Sequence, residues 1–430
     1  MADARLMGSG GRRAVAIAAV LAAAGAQACI AGHPAVAQAR VWDEGPLFND
    51  PLGTAEQQYA IRTRLLELTN AALPGSSIKV AVYHVWETTV SDALVAAKNR
   101  GVNVQIVLDS SSVNDRPTNP VYEQLKAALG TSTAARSFVT LCPKDTSCLG
   151  DPRFGKSIMH NKFWLFSAVE GATDVVVQTT SNATPSASTR FYNDALQLPG
   201  NPVLYRAYAN YFDEVAAKVW QNWDYRTVSD GRYKTYFFPR AGTTTATDTL
   251  YSVLDNVACA YKDASGATRH SVVRAAIFQI TRQAIADQLV ALKKAGCSVS
   301  IEYATSDSGT WKVLHAAGAP SRRCLNDDRD PLNPGGRLAT PYIVHTKYVL
   351  IDGVYDGARD KIAFTGSQNA SGPALRENDE AYVKIDDDSV HDTYRAHFDR
   401  VWKAAWPGTA DGTNLCKGVK VLPQDGEPKP

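Results

Sequence analysis

One pattern of residues occurs twice in this chain, and that duplication restricts the fold more than any other feature. Residues 78–83 (Ile-Lys-Val-Ala-Val-Tyr) read as a buried strand, 92–100 as a helix and 101–108 as a second strand. The series returns at 272–277, 287–295 and 296–301, with Asp92 and Gly101 matching Asp287 and Gly296 at one fixed offset. Each copy then carries a His-x-Lys sequence opening an apolar strand: His160-Asn161-Lys162 before Phe-Trp-Leu-Phe, and His345-Thr346-Lys347 before Tyr-Val-Leu-Ile. Each is followed by an Asn at the end of another short strand (Asn182, Asn369) and by an Asn-Asp step (Asn193-Asp194, Asn378-Asp379) at equal distances from the two His. The copies also close alike, Tyr211-Phe212-Asp213 resembling His397-Phe398-Asp399. A lone His-x-Lys would arise by chance roughly once or less in a chain of this length. Two of them, embedded in one repeated frame, indicate a gene duplication.

Alternating strand and amphipathic-helix patterns predict an α/β fold: two tandem sandwich units, each a mixed sheet flanked by helices. Packed with their motif ends facing, the units would be related by a pseudo-two-fold axis and share one site at the seam. The expected division is a first unit over 40–236, a second over 237–423 and a structureless tail over 424–430. Polar or Pro/Gly/Ser-rich stretches at 110–120, 243–247 and 305–341 are expected to be loops walling the cleft.

The N-terminus has the marks of an export signal. Arg12-Arg13 precede an apolar run over 14–24, and Ala37-Gln38-Ala39 has small residues where a signal peptidase cuts. The run is Ala-rich and short for a membrane span. Secretion with cleavage near Ala39 is therefore expected. Removing 1–39 takes three Arg and one Asp from 45 basic and 43 acidic side chains, leaving 42 of each. Proteins that grip long nucleic acids usually carry a basic excess, so this balance weighs against one. Without Cys29, six cysteines remain: Cys142, Cys148, Cys259, Cys297, Cys324 and Cys416. An even count in an exported chain reads as disulfides, with Cys142 and Cys148 placed to close a short loop and the other four open to several pairings. No Cys-x-x-Cys spacing supports zinc.

The second motif, His345-x-Lys347-x4-Asp352 with Gly366-Ser367-Gln368-Asn369 and Asn378-Asp379-Glu380, resembles the phospholipase D superfamily, and the resemblance covers essentially the whole mature chain. The first motif departs from it: Ser167 stands at the acidic position, and Thr179-Thr180-Ser181-Asn182 replaces Gly-Ser-x-Asn. The resemblance implies a phosphodiesterase in which the N-terminal histidine, His160, attacks phosphorus and His345 is the acid/base. It implies that Asp352 supports its motif, and that Glu380 orients a histidine, expected to be His345. Ala195 occupies the matching position in the first unit, so Asn193 or Asp194 is expected to orient His160. The chemistry stands without the family. Lys162, Lys347, Asn182, Asn369 and Ser367 are donors suited to the non-bridging oxygens of a phosphodiester. Two imidazoles can divide attack from proton transfer. With lysines supplying positive charge, no metal or other cofactor is expected.

Other polar residues have plainer readings. His84, in Tyr83-His84-Val85-Trp86, is expected to pack, and His391 and His397 to be solvated on the last helix. Residues 326–330 (Asn-Asp-Asp-Arg-Asp) lack the Gly and closing Glu of a calcium loop and read as a solvated loop. Asp386-Asp387-Asp388 reads as a helix cap. Export, balanced charge and tryptophans in expected loops (Trp86, Trp311) favour a phospholipid at a membrane or micelle interface. The expected activity is hydrolysis of glycerophospholipids to phosphatidic acid through a phosphohistidine, with transfer to other alcohols, by a monomer. A secreted nuclease is the alternative, or a non-catalytic phosphate- or lipid-binding protein should Ser167 leave His160 unplaced.

Overall fold

The run Phe163-Trp164-Leu165-Phe166 is apolar on both of its alternating faces, as in strands covered from both sides, and it forms the middle of a sheet. A computed structural model describes residues 41–330, 332–333 and 335–407. The expected signal peptide, Cys29, Cys416 and the tail over 424–430 lie outside them. The first unit is a seven-stranded sheet in the order Gly45–Phe48, Asp194–Leu198, Ala172–Thr179, Lys162–Val169, Ser77–Val82, Asn103–Leu108, Phe138–Leu141. The last three run parallel to one another, and the remaining neighbours are antiparallel.

The second sheet repeats this order strand for strand: Tyr233–Phe237, Ala381–Asp386, Ala358–Gly366, Lys347–Tyr355, Val272–Ile280, Ser298–Ser306, Ser321–Cys324. It is extended at one edge by Arg226–Asp230 and at the other by Trp406–Pro407. The mixed α/β duplication is as expected. The hairpin Arg226–Asp230/Tyr233–Phe237 belongs to the second sheet by its pairing with Ala381–Asp386, so that sheet begins ahead of residue 237.

Helices Thr88–Asn99 and Gln283–Lys294 make the crossovers between the first parallel strands, each beginning a turn earlier than the Asp92 and Asp287 read from the sequence. Helices Pro202–Ala217 and Asp388–Ala404 follow the Asn-Asp strands. Each has a side-chain cap that satisfies an orphan amide, Asn201 on Leu204 N (2.9 Å) and Asp387 on Val390 N (2.9 Å). Their apolar faces enter one cluster shared by both units, in which Phe163, Tyr208 and Tyr211 meet Phe237, Tyr348 and Tyr394. Burying that common layer makes the two units one body.

The long helix corrects two expectations. His391 and His397 are buried, because both fall on its inward face. His397 Nδ1 lies 3.0 Å from Tyr348 Oη and its ring stacks on Phe48 at 4.2 Å; burial pushes its pKa down to about 3. Three of the expected loop stretches are partly ordered. Residues 110–120 contain helix Ser111–Asn114, 243–247 a short 3-10 turn, and 305–341 a helix, Ser308–Leu314, with strands Ser321–Cys324 and Asn326–Arg329. The supposed solvated loop at 326–330 is thus largely a strand, paired with Arg337–Val344, which pairs in turn with Phe191–Tyr192 of the first unit. Disulfides join Cys142 to Cys148 and Cys259 to Cys297, and Cys324 is disulfide-bonded too. Among the described residues no helix is long and apolar enough to cross a membrane.

Candidate active site

Each His-x-Lys histidine immediately precedes the central strand of its sheet, and its backbone amide is tied to the other unit. His160 N donates to Asp379 O (3.0 Å) and His345 N to Tyr192 O (3.0 Å). The two motif ends therefore meet at the seam. The side chains cross over as well. His160 Nδ1 lies 2.9 and 3.0 Å from the Glu380 carboxylate oxygens, and His345 Nδ1 lies 2.7 Å from Asn193 Oδ1. This reverses the expected pairing: Glu380 orients His160 rather than His345, and Asn193 orients His345 rather than His160. The sequence reading kept each partner within its own repeat, whereas facing the motif ends brings each Asn-Asp step against the opposite histidine.

These partners fix the tautomers. Asn193 Nδ2 donates to Ala187 O (2.9 Å) and Phe191 O (3.3 Å), which turns Oδ1 toward His345. An amide oxygen only accepts, so His345 Nδ1 carries the proton and Nε2 keeps the lone pair. His345 Nε2 has no hydrogen-bond partner among the described residues. Where Glu380 is ionised it likewise accepts from His160 Nδ1, and the ring proton then sits on Nδ1 rather than Nε2.

Lys162 Nζ donates to His160 O (2.8 Å) and lies 5.2 Å over the Tyr83 ring. Lys347 repeats this with His345 O and the Phe278 ring, at 5.1 Å. Asn182 and Asn369 sit in the turns after Ala172–Thr179 and Ala358–Gly366, and the Asn182 amide has no partner among the described residues. Of His160, His345, Lys162, Lys347, Asn182 and Asn369 none is more than 4 % exposed, so charge and donors are desolvated and act strongly. The Glu380 carboxyl is pushed up to about 8, burial outweighing Lys162, Ser367, Asn378 and Lys347. Burial holds His345 well below the ordinary imidazole range, with the charges of Lys347, Lys162 and His160 adding to it.

Ser367 supports Glu380 by a side-chain hydrogen bond, and Gly366 before it is required by close approach: a Cβ there would lie 2.1 Å from Ala381 O. Thr180, not singled out from the sequence, is the counterpart, its hydroxyl 3.0 Å from Asn193 Oδ1. Asn378 contributes Nδ2 to Glu380 (3.3 Å) while Oδ1 accepts from Ile158 N (3.1 Å). Asp109 was missed too: it is buried at the end of Asn103–Leu108 and accepts from Met159 N (2.8 Å), one residue before His160. A lone Asp after a strand gives no signal in the sequence; Thr180 could have been found by aligning Thr179-Thr180-Ser181-Asn182 with Gly366-Ser367-Gln368-Asn369.

Asp352 does not reach the site. It lies five residues along the strand from Lys347, roughly 16 Å away at a strand's rise, where its charge acts on His391 and Lys361. Ser167, at the matching place, accepts a hydrogen bond from Ser77 N (2.8 Å), so the exchange leaves the His160 end of its strand unaffected. His84 packs as expected, stacked between Tyr83 (4.0 Å) and Trp86 (4.2 Å). Trp86 is buried, with Nε1 donating to Ser112 O (3.0 Å), and offers no ring to an interface; Trp311 is half-buried against His315.

Residues 65–216 and 265–402 match a family model described as "Cardiolipin synthase, PLD-like domain". Among solved structures the fold is similar to polyphosphate kinase from Porphyromonas gingivalis, at 13 % identity and a TM-score of 0.53 over 87 % of this chain and 54 % of that one. This chain thus spans about half of the kinase's length. Phosphatidylserine synthase from Haemophilus influenzae Rd KW20 aligns at 13 % identity and a TM-score of 0.49, covering 84 % of this chain and 87 % of its own. Nuc from Salmonella typhimurium, a phospholipase D family member, aligns at 20 % identity and a TM-score of 0.30 over 41 % of this chain and 96 % of its own. A search of curated protein sequences gives no match.

Proposed function

The chain belongs to the phospholipase D superfamily, whose members are phosphodiesterases or phosphotransferases, and on that premise we propose that it is an exported phospholipase D. In this reading it hydrolyses glycerophospholipids to phosphatidic acid and free headgroup, and transfers the phosphatidyl group to other alcohols. The observation that carries the chemistry is the crossed pair: two histidines whose Nδ1 atoms are held by partners from opposite units, flanked by two buried lysines. His160 Nε2 attacks phosphorus and the phosphorus–headgroup oxygen bond breaks. In the form with Glu380 ionised, attack leaves positive charge on the His160 ring, which that carboxylate neutralises. For this step His345 must also be protonated on Nε2; with only a neutral amide behind it, that imidazolium gives up its proton readily, here to the departing alkoxide. Neutral His345 then takes a proton from water. The resulting hydroxide attacks phosphorus and the phosphorus–nitrogen bond breaks, restoring His160. Lys162, Lys347, Asn182 and Asn369 are the donors for the non-bridging oxygens.

The balanced charge of the mature chain favours a lipid diester over a long polyanion. The buried Trp86 lends no support to an aromatic belt. The placement of His160 by Glu380, without an acid at position 167, favours a working first motif over a purely binding role. The test is headgroup release from phosphatidylcholine-containing vesicles and cleavage of single-stranded DNA, in EDTA, beside His160→Ala. Release from vesicles that vanishes in the variant is expected. DNA cleavage alone would make the protein a nuclease, and silence on both substrates would contradict the reading.

A further inference from the structure

We propose that the Cys142–Cys148 disulfide loop is a positioning element for His160; this rests on the reading of His160 as the attacking group. The loop forms a small cradle of backbone donors: Cys148 N and Leu149 N donate to the two carboxylate oxygens of Asp379, at 2.7 and 2.9 Å. Ser147 Oγ donates to Glu377 O (2.7 Å) and accepts from Gly150 N (2.8 Å), while Ser147 N donates to Ser157 Oγ (2.9 Å). Gly150 lies flush against the same segment, since a Cβ there would sit 1.9 Å from Glu377 O. The loop therefore grips 377–379, the residues directly before Glu380.

Asp379 is also the backbone anchor of His160. Its N donates to Ile158 O (3.1 Å) and its O accepts from His160 N (3.0 Å). Displacing Asp379 would shift both the main-chain position of His160 and the carboxylate on its Nδ1. A bridge spanning six positions restricts the unfolded chain less than one closing a longer loop, and in the folded chain it closes the segment that presents these amides. Among the described residues no such loop holds the other Asn-Asp step, Asn193-Asp194 of the first unit. There Asp194 is held by hydroxyls, Tyr394 Oη at 2.9 Å, Thr180 Oγ1 at 3.2 Å and Thr365 Oγ1.

Both cysteines are buried, so substitution rather than reductant is the way to open the loop. The test compares Cys142→Ser/Cys148→Ser with Cys259→Ser/Cys297→Ser, and adds Ser147→Ala, which keeps the disulfide but removes one grip on Glu377. Two quantities are read: kcat and KM on the vesicle substrate, and the His160 imidazole titration by NMR. Opening the loop should lower kcat about 10- to 100-fold with KM within twofold, and shift the His160 titration. Ser147→Ala should move both in the same direction by less, and the distant pair should move neither. An unshifted His160 titration in folded Cys142→Ser/Cys148→Ser protein, or in Ser147→Ala should the former not fold, overturns the proposal. The titration decides the matter even if the wild type hydrolyses none of the vesicle lipids, which would sink the enzymatic reading alone.

Discussion

The two units share one strand order yet hold their motif histidines by different chemistry. At His160 the partner is a carboxylate, Glu380, backed by Asn378, Ser367 and a disulfide-closed loop. At His345 the partner is an amide, Asn193, backed by Thr180 and by Asn49, whose Oδ1 accepts from Asn193 N (2.8 Å). A duplicated scaffold has thus become two unlike half-sites, one that stabilises positive charge on its ring and one that does not. Attack and proton transfer need that inequality. The same divergence appears behind the motif asparagines, Asn182 and Asn369. Glu87 N and Arg282 N donate to the carbonyls of Ala183 and Ala370, one residue past Asn182 and Asn369. Glu87 pairs with Arg62 (3.4 Å) and Arg282 with Asp248 (3.2 Å), so the ion pair is kept with its charges exchanged.

The comparison breaks most severely if Glu380→Gln is harmless. That variant keeps the shape but leaves the His160 cation without a carboxylate, and kcat should fall about 10²- to 10⁴-fold in steady-state assays. Its stability should change the opposite way. The Glu380 carboxyl is raised from 4.5 to about 8, so folding disfavours its ionised form, and wild-type stability declines as pH rises through that window. In thermal melts Glu380→Gln should gain on wild type between about pH 4.5 and 8. Next in size is Asn193→Asp, which gives His345 the charged partner it lacks. Its depressed pKa should rise, moving the alkaline limb of the kcat/KM profile upward by about one unit.

Smaller effects test the exchanged ion pairs and the altered motif. Glu87→Arg should destabilise the first unit in denaturant titrations, and adding Arg62→Glu should recover part of the loss, with a coupling of about 0.5–3 kcal/mol. The least change is expected from Ser167→Asp, which rebuilds the motif's acid far from the chemistry. Turnover should stay within about twofold and stability within about 0.5 kcal/mol.

Much of this was legible in the sequence because duplication prints each element twice. The repeated strand–helix–strand series, the His-x-Lys sequences and the Asn-Asp steps all located real elements. What could not be read was which unit each partner serves. Glu380 and Asn193 were both identified, but chain distance gives no hint that they cross the seam. Asp352 makes a related point: proximity in a motif is not proximity in space once a strand carries the residue away from the site. Likewise His391 and His397 look solvated on a polar helix, and only the shared layer between the sheets buries them.

The carboxylate-backed histidine should be the one that becomes phosphorylated. Rapid acid- or base-quench mass spectrometry of peptides during turnover of a diester with an activated leaving group would locate the phosphoryl adduct. It should lie on His160, with His345 unmodified, and should still form in His345→Ala because such a leaving group needs no proton. An adduct on His345, or its formation in His160→Ala, would contradict the division of roles between the two units.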